Sequence, residues 1–114
     1  MRIICESCKH TVTYGAGVFE EANLDPKEWT ATPLYEGKGC LECGGTGFRG
    51  RTAIHEILDL SDRIREMIVD RRPTSEIKRL ARDEGMLPLR ESGLLKVKSG
   101  VTTLKELNKV TFID

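Results

Sequence analysis

The chain has 114 residues, a length typical of one small domain and too short for a second large one. Its 18 Lys and Arg residues balance 18 Asp and Glu residues, so no net field draws it to nucleic acid or an anionic membrane. No stretch approaches the roughly 18 apolar residues of a membrane span, and the residues before Cys5 are too few for a signal peptide. We therefore expect a cytoplasmic protein without membrane insertion.

The first half of the chain predicts short strands and short helices around tight turns. Residues 2–14 favour extended chain interrupted by a turn, and residues 16–24 place apolar side chains on one helical face. A short helical turn is expected around Trp29. Residues 51–58, with the sequence RTAIHEIL, predict a further strand.

The second half predicts helices in close succession. Three polar residues precede apolar helical patterns and are expected to cap helices: Ser61, Thr74 and Thr103. A further helix is expected from about Pro88 to Gly100, and Thr103 with Glu106 forms a capping-box pattern. The predicted fold class is α+β. It comprises a small tetracysteine region with short strands and helices in residues 1–60, then a cluster of about four helices in residues 61–114.

The cysteines form two C-x-x-C pairs, Cys5 with Cys8 and Cys40 with Cys43. Two intervening residues let both sulfurs of a pair reach one ion at about 2.3 Å, and two pairs complete a tetrahedral shell. A reducing cytosol disfavours disulfides, so this spacing favours metal. The sequence therefore predicts a structural zinc site on these four residues. With no open position for water, the ion would not catalyse hydrolysis.

Other interpretations of the cysteines differ in strength. Rubredoxin-type iron uses the same four sulfurs and stays open. A thioredoxin-like site needs one pair beside a βαβ unit, and free buried cysteines would not need paired spacing. Residues 40–47 match the C-x-x-C-x-G-x-G unit of DnaJ-type chaperones, but residues 5–12 lack the glycines of that unit.

Charge around four thiolates must be offset by amides and cations. The glycines after Cys43 allow amides to point at sulfur, and four cations lie nearby in sequence: Lys9, Lys38, Arg49 and Arg51. Structural zinc contributes about 10 to 16 kcal/mol in small peptides, comparable with the stability of a whole domain. We expect removal of the ion to unfold at least the N-terminal half.

Several runs of sequence carry a family resemblance. They are the first C-x-x-C pair, GCLECGGTGFRGR at 39–51, IHEIL at 54–58, GMLPLR at 85–90, GLLKV at 93–97 and GVTTLKEL at 100–107. In this order they resemble the C-terminal part of bacterial type II secretion and type IV pilus assembly ATPases, the GspE/PilB family. The resemblance covers nearly the whole chain. Because the chain begins almost on its first ligand, we expect a piece cut from a longer protein.

The resemblance implies a parent that is a hexameric cytoplasmic motor using ATP and Mg²⁺, with zinc in its C-terminal domain. The chain contains no G-x-x-x-x-G-K-[ST] phosphate loop, so we expect no ATP hydrolysis by this fragment. The expected partners are neighbouring subunits of a homohexamer and inner-membrane platform proteins. An acidic stretch before the second cysteine pair and a basic stretch after it suit subunit contacts better than nucleic acid.

The resemblance also singles out Arg51 as a contact to nucleotide or to a subunit junction in the whole motor. The plainer interpretation is a strand-edge arginine that balances the thiolates or pairs with Glu56. His10 and His55 are expected to be structural or exposed, because four cysteines already fill the metal shell. The alternative function is a free-standing zinc-ribbon-like module that binds nucleic acid through arginines, which the neutral net charge disfavours.

Overall fold

A computed structural model describes residues 1–111 of the chain. Within these residues the strands are β1 (Arg2–Ile4), β2 (Lys9–Val12), β3 (Leu34–Gly37) and β4 (Phe48–Arg51). The helices are α1 (Ala16–Glu21), α2 (Pro26–Thr30), α3 (Asp62–Val69), α4 (Thr74–Asp83), α5 (Leu89–Lys98) and α6 (Leu104–Val110). Short strands followed by helices confirm the predicted α+β class.

The strands form two small antiparallel sheets that position the cysteines. β1 pairs with β4, and β2 pairs with β3 in a register from Lys9 opposite Gly37 to Val12 opposite Leu34. The first C-x-x-C pair lies between β1 and β2, and the second lies between β3 and β4. The strands that flank the first cysteine turn, β1 and β2, pair with the strands that flank the second, β4 and β3. The two cysteine turns therefore meet at one end of the sheets.

The main hydrophobic core joins the N-terminal half to the last two helices. Its buried members are Phe19, Ala22, Trp29, Leu34, Val97, Leu104 and Leu107. The Phe19 and Trp29 rings lie 6.1 Å apart between centroids, a spacing typical of aromatic pairs. Gly93 allows α5 to approach α6, since a Cβ at this position would lie 2.2 Å from Leu107 Cδ1. α5 and α6 therefore complete the core that α1 and α2 begin.

Helices α3 and α4 pack on each other and form a hairpin outside that core. The buried residues of this α3–α4 hairpin are Ile64 and Ala81, neither of which belongs to the main core. The hairpin contributes to an elongated shape with principal extents of 56 × 29 × 18 Å. Among the described residues, no helix is both long enough and apolar enough to cross a membrane.

Two of the three predicted helix caps are confirmed and one is wrong. The Ser61 side chain accepts a hydrogen bond from the Ile64 amide, and the Thr103 side chain accepts one from the Glu106 amide, both at 3.2 Å. Thr74 is instead the first residue of α4, and Pro73 occupies the N-cap position without a side-chain cap. Because Thr74 lies one position inside the helix, its hydroxyl is not placed to accept from the free amides of the first turn, as an N-cap side chain does.

The strand predicted at 51–58 is also wrong. Only Arg51 belongs to a strand, as the last residue of β4, and residues 52–60 have no regular secondary structure. Within residues 1–111, no neighbouring strand lies beside residues 52–58 to supply ladder hydrogen bonds. A β-favouring sequence does not form a strand without a partner, because the strand is defined by its pairing.

Candidate metal centre

The four cysteine sulfurs converge on one point. Their Sγ atoms all lie within 4.8 Å of one another. The Cys5–Cys40 and Cys40–Cys43 sulfur distances are both 3.7 Å, and the Cys8–Cys43 distance is 3.9 Å. In a tetrahedral site with metal–sulfur bonds of about 2.3 Å, the sulfurs stand about 3.8 Å apart. The spacing therefore fits a four-coordinate ion such as zinc.

Backbone amides around the cluster point at the sulfurs. The Cys43 sulfur accepts hydrogen bonds from the Cys40 and Gly47 amides, both at 3.2 Å, and the Cys8 sulfur accepts one from the Gly39 amide at 3.4 Å. The expected donation from a glycine after Cys43 is thus confirmed at Gly47. Such N–H donors disperse the negative charge that four thiolates leave around a divalent cation.

The amides act unequally on the thiols. Burial opposes ionisation of Cys43, but hydrogen bonds from the amides of Cys40 and Gly47 outweigh it and lower the pKa of this thiol to about 6. Burial raises the pKa of the Cys8 thiol to about 11, even though the Gly39 amide favours the thiolate. The surrounding amides therefore favour the thiolate form more strongly at Cys43 than at Cys8.

A close backbone approach brings β3 against the second cysteine turn. A Cβ on Gly37 would lie 2.2 Å from the Gly47 carbonyl oxygen, which is backbone and cannot move aside. Gly47 itself has φ of +80°, a conformation that strongly favours glycine. The glycines before and after the second cysteine pair are therefore needed to close the turn around the sulfurs.

The sequence of this chain matches a known family along most of its length. A family model described as "Type II/IV secretion system protein" matches residues 1–109. The chain belongs to this type II/IV secretion system family. The resemblance read from the cysteine, glycine and helix motifs is thereby confirmed.

Relatives within the family include both secretion and pilus proteins. The chain is 45% identical over 107 residues to the type IV pilus assembly ATPase PilB of Thermus thermophilus, covering 94% of this chain and 12% of that protein. It is 36% identical over 111 residues to the type II secretion system protein E of Pseudomonas aeruginosa, covering 97% of this chain and 22% of that protein. The chain therefore spans less than a quarter of the length of these relatives.

Two of the four cations expected near the thiolates, Arg49 and Lys9, have other partners. Arg49 lies 3.7 Å from a Glu42 carboxylate oxygen, and Lys9 lies 3.5 Å from Glu6 and over the Tyr35 ring. These pairs are partly or largely exposed, so each contributes little to stability. Backbone amides are the donors that the structure shows at the sulfurs.

No contact between Arg51 and the cysteine cluster is found among the described residues. Arg51 ends β4 opposite Arg2, its side chain is exposed, and it makes no ion pair within the described part of the chain. The plainer interpretation had Arg51 balance the thiolates or pair with Glu56. The described residues show no Arg51–Glu56 ion pair, and the Glu56 carboxylate accepts a hydrogen bond from the Leu89 amide at 2.8 Å.

Neither histidine joins the cysteine cluster. His55 is exposed, whereas His10 is half-buried in β2 and its Nδ1 has no hydrogen-bond partner among the described residues. The expected structural or exposed character of both side chains is consistent with these positions.

Two contributions escaped sequence reasoning. The first is the Gly39 amide at Cys8, for which the glycine directly before the second cysteine pair was the available signal. The second is a bridge between the chain ends, in which Glu106 accepts hydrogen bonds from the Arg2 amide at 3.1 Å and from Arg2 Nε at 2.8 Å. No local sequence pattern predicts a contact between residues so far apart in the chain.

Proposed function

We propose that this chain is the zinc-binding region of a cytoplasmic hexameric ATPase that powers type II secretion or type IV pilus assembly. The observation that carries the proposal is the convergence of four thiols, within 4.8 Å of one another, in a member of a family whose relatives bear ATPase names. Those names favour the motor over the alternative of a free-standing nucleic-acid module.

Zinc has a structural role in this proposal. Cys5, Cys8, Cys40 and Cys43 hold the ion and leave no position for water or substrate. The ion joins the β1–β2 turn to the β3–β4 turn and thereby supports the core behind them. Amides at the sulfurs, and not further side-chain ligands, complete the surroundings of the metal.

ATP and Mg²⁺ bind elsewhere in the longer protein. This chain contains neither the phosphate-loop lysine motif nor an evident acidic magnesium site, so it contributes no ATP turnover alone. Its partners are neighbouring subunits of the hexamer and platform proteins at the cytoplasmic side of the inner membrane. The assignment of residues 1–60 to a metal region and 61–114 to a helical region is part of the same proposal.

Metal content and ATP turnover test the proposal together. Elemental analysis of the purified chain is expected to find one zinc ion per molecule. If iron is found instead, the metal in the proposal changes from zinc to iron and the four-cysteine site stays the same. The longer protein is expected to hydrolyse ATP and this chain alone is not. A metal-free folded chain, or a longer protein without nucleotide turnover, would contradict the corresponding half of the proposal.

Arg51 is proposed to contact nucleotide or the next subunit in the assembled motor. Its exposed guanidinium without an ion-pair partner in residues 1–111 supports this role. Arg51→Ala in the longer ATPase is expected to lower turnover by about tenfold or more and to leave zinc in place. Arg49→Ala is the matched control, because Arg49 already pairs with Glu42. Equal turnover in wild type and Arg51→Ala would remove this role.

A further inference from the structure

A groove of about 420 Å³ lies between α2 and α5, and none of the four cysteines lines it. Four leucines do line it: Leu24, Leu87, Leu94 and Leu95. Leu95 is 56% exposed and Leu87 is 42% exposed, whereas Leu24 and Leu94 are half-buried against the main core. An apolar patch of this kind with a polar rim is typical of an interaction site, unlike single leucines scattered over a surface.

Helix α5 is apolar on two sides. On one side Gly93 and Val97 are buried, and Gly93 lies against Leu107 of α6. Residue 95 is halfway along the turn between residues 93 and 97, so Leu95 points to the opposite side, into the groove. A helix that is apolar on opposite sides is normally covered on both of them. Within the described residues, only the side that faces α6 is covered.

The rim of the groove is acidic. Its charged residues are Asp25, Glu28, Glu91 and Lys98, so negative charge is in excess. Lys98 Nζ lies 2.5 Å from a Glu28 carboxylate oxygen and 4.9 Å from the centre of the Trp29 ring. This cation therefore neutralises Glu28 and leaves the other two carboxylates.

Asp25 and Glu91 remain available to the cations of a partner. Asp25 is exposed at the N-cap of α2, where it accepts a hydrogen bond from the Lys27 amide at 3.0 Å, and it makes no ion pair within residues 1–111. Glu91 pairs with Arg82 on α4, but the two side chains are 44% and 49% exposed. An exposed pair of this kind contributes little, so a cation from a partner can replace Arg82.

We propose that the α2–α5 groove binds a basic amphipathic helix of a separate protein. A helix fits because the groove lies between two helices, and its lining residues include no strand edge to which an extended peptide could add. Apolar side chains on one face of the partner helix would pack on Leu87, Leu94 and Leu95. Its Lys or Arg residues would lie beside Asp25 and Glu91 and set its orientation.

The charged rim favours a partner that binds reversibly over a permanent cover. Permanent interfaces are mostly apolar, whereas reversible ones combine a small apolar centre with a polar rim. Four leucines edged by carboxylates match the second kind. The same carboxylates would repel the phosphates of a nucleic acid, which leaves a basic protein segment as the partner.

Titration of the purified chain with a synthetic peptide tests the groove. The probe is a helix of about 18 residues with leucines on one face and lysines on the other, long enough to be helical. In the control peptide, glutamates replace the lysines. We expect the lysine peptide to shift the amide NMR signals of α2 and α5, and to bind about tenfold more tightly than the control. Shifts confined to other elements, or equal binding of both peptides, would overturn the proposal.

Matched variants locate the binding energy. Leu95→Ser removes an apolar contact in the groove, and Leu60→Ser makes the same change outside it at a leucine 52% exposed. Both are expected to leave the chain folded, as circular dichroism would show. Leu95→Ser should weaken binding of the lysine peptide by about tenfold, and Leu60→Ser should leave it unchanged. Unchanged affinity in Leu95→Ser would contradict the proposal.

The charge on the rim can be removed without removing the helix cap. Asp25→Asn keeps an N-cap side chain on α2, because asparagine caps as well as aspartate does. It should weaken binding of the lysine peptide by about threefold and make the affinity less sensitive to salt. The same salt dependence in wild type and Asp25→Asn would show that the rim charge plays no part.

Two other occupants of the groove would give different results. If a second copy fills it, sedimentation velocity will show self-association that Leu95→Ser abolishes. If another segment of the longer protein fills it, the peptide will bind this chain but not the longer protein. Either result would overturn the assignment to a separate partner. None of these measurements depends on ATP turnover, so they stay informative whether or not the motor assignment holds.

Discussion

The main hydrophobic core and the α3–α4 hairpin achieve burial in different ways. The core joins side chains distant in sequence, such as Phe19 on α1 and Leu107 on α6. The hairpin buries Ile64 on α3 and Ala81 on α4, and only a few residues of chain separate the two helices. Long-range closure costs more chain entropy than a local turn. A cross-link such as the proposed metal site would therefore stabilise the core more than the hairpin, which is held by short-range packing.

Polar contacts show the same contrast between these two regions. In the core, Arg2 on β1 meets Glu106 on α6, and the Thr102 hydroxyl donates to the Arg2 carbonyl at 2.7 Å. In the hairpin, Arg72 and Glu76 form a 3.7 Å pair one helical turn apart, with both side chains about half exposed. A buried carboxylate with several donors contributes more than an exposed pair.

Loss of the metal is expected to have the largest effect on stability. It should unfold the core and leave the α3–α4 hairpin less affected. Cys40→Ser should abolish tight zinc binding and remove most of a contribution of about 10 kcal/mol. Because α5 and α6 share the core with the N-terminal half, their amide NMR signals should lose dispersion together with those of residues 1–51. Leu41→Ser, at the fully exposed neighbour, is the control. Unchanged α5 and α6 signals in metal-free Cys40→Ser would contradict this dependence.

Substitutions that create a cavity, one in the core and one in the hairpin, are expected to have the second-largest effect on stability. They should also show which residues unfold together in each region. Leu107 and Ile64 are both 0% exposed. Leu107→Ala should cost about 3 kcal/mol and accelerate exchange throughout the core, whereas Ile64→Ala should accelerate exchange mainly in the hairpin. Native-state hydrogen exchange measures both. Equal loss of protection in α6 from the two variants would show that hairpin and core unfold as one unit.

Charge removal at Glu106 is expected to have the smallest effect of the three. The Arg2 guanidinium beside Glu106 lowers the pKa of this carboxyl from 4.5 to about 2. Its contribution is therefore fully present above about pH 4.5 and is lost as the pH falls toward 2. Glu106→Gln should cost about 2 kcal/mol at pH 7, the usual value for a hydrogen bond to a charged group.

Urea unfolding of wild type and Glu106→Gln between pH 7 and pH 3 measures this contribution. The difference in unfolding free energy should stay level down to about pH 4.5 and then shrink. Metal release at low pH affects wild type and variant alike, so it cancels in the difference between their unfolding free energies. Glu76→Gln in the hairpin should change stability by less than about 0.5 kcal/mol. A pH-independent difference for Glu106→Gln would contradict the assigned role of its charge.

Local signals in the sequence predicted much of this fold. The caps at Ser61 and Thr103 were correct because a hydroxyl before an apolar helical pattern meets an amide only three residues away. Thr74 failed by one position, which is the ordinary uncertainty of a helix boundary. The strand at 51–58 failed because pairing depends on a neighbour and not on composition.

The sequence predicted which four cysteines converge at the candidate site, since two C-x-x-C turns are local structures whose spacing alone favours one metal ion. It also determined the family, through ordered glycine and helix motifs. Only the tertiary structure decided which amides face the sulfurs, that Arg2 meets Glu106, and that α5 and α6 close the core. Those contacts join residues far apart in the chain, so their geometry follows from how the whole molecule packs.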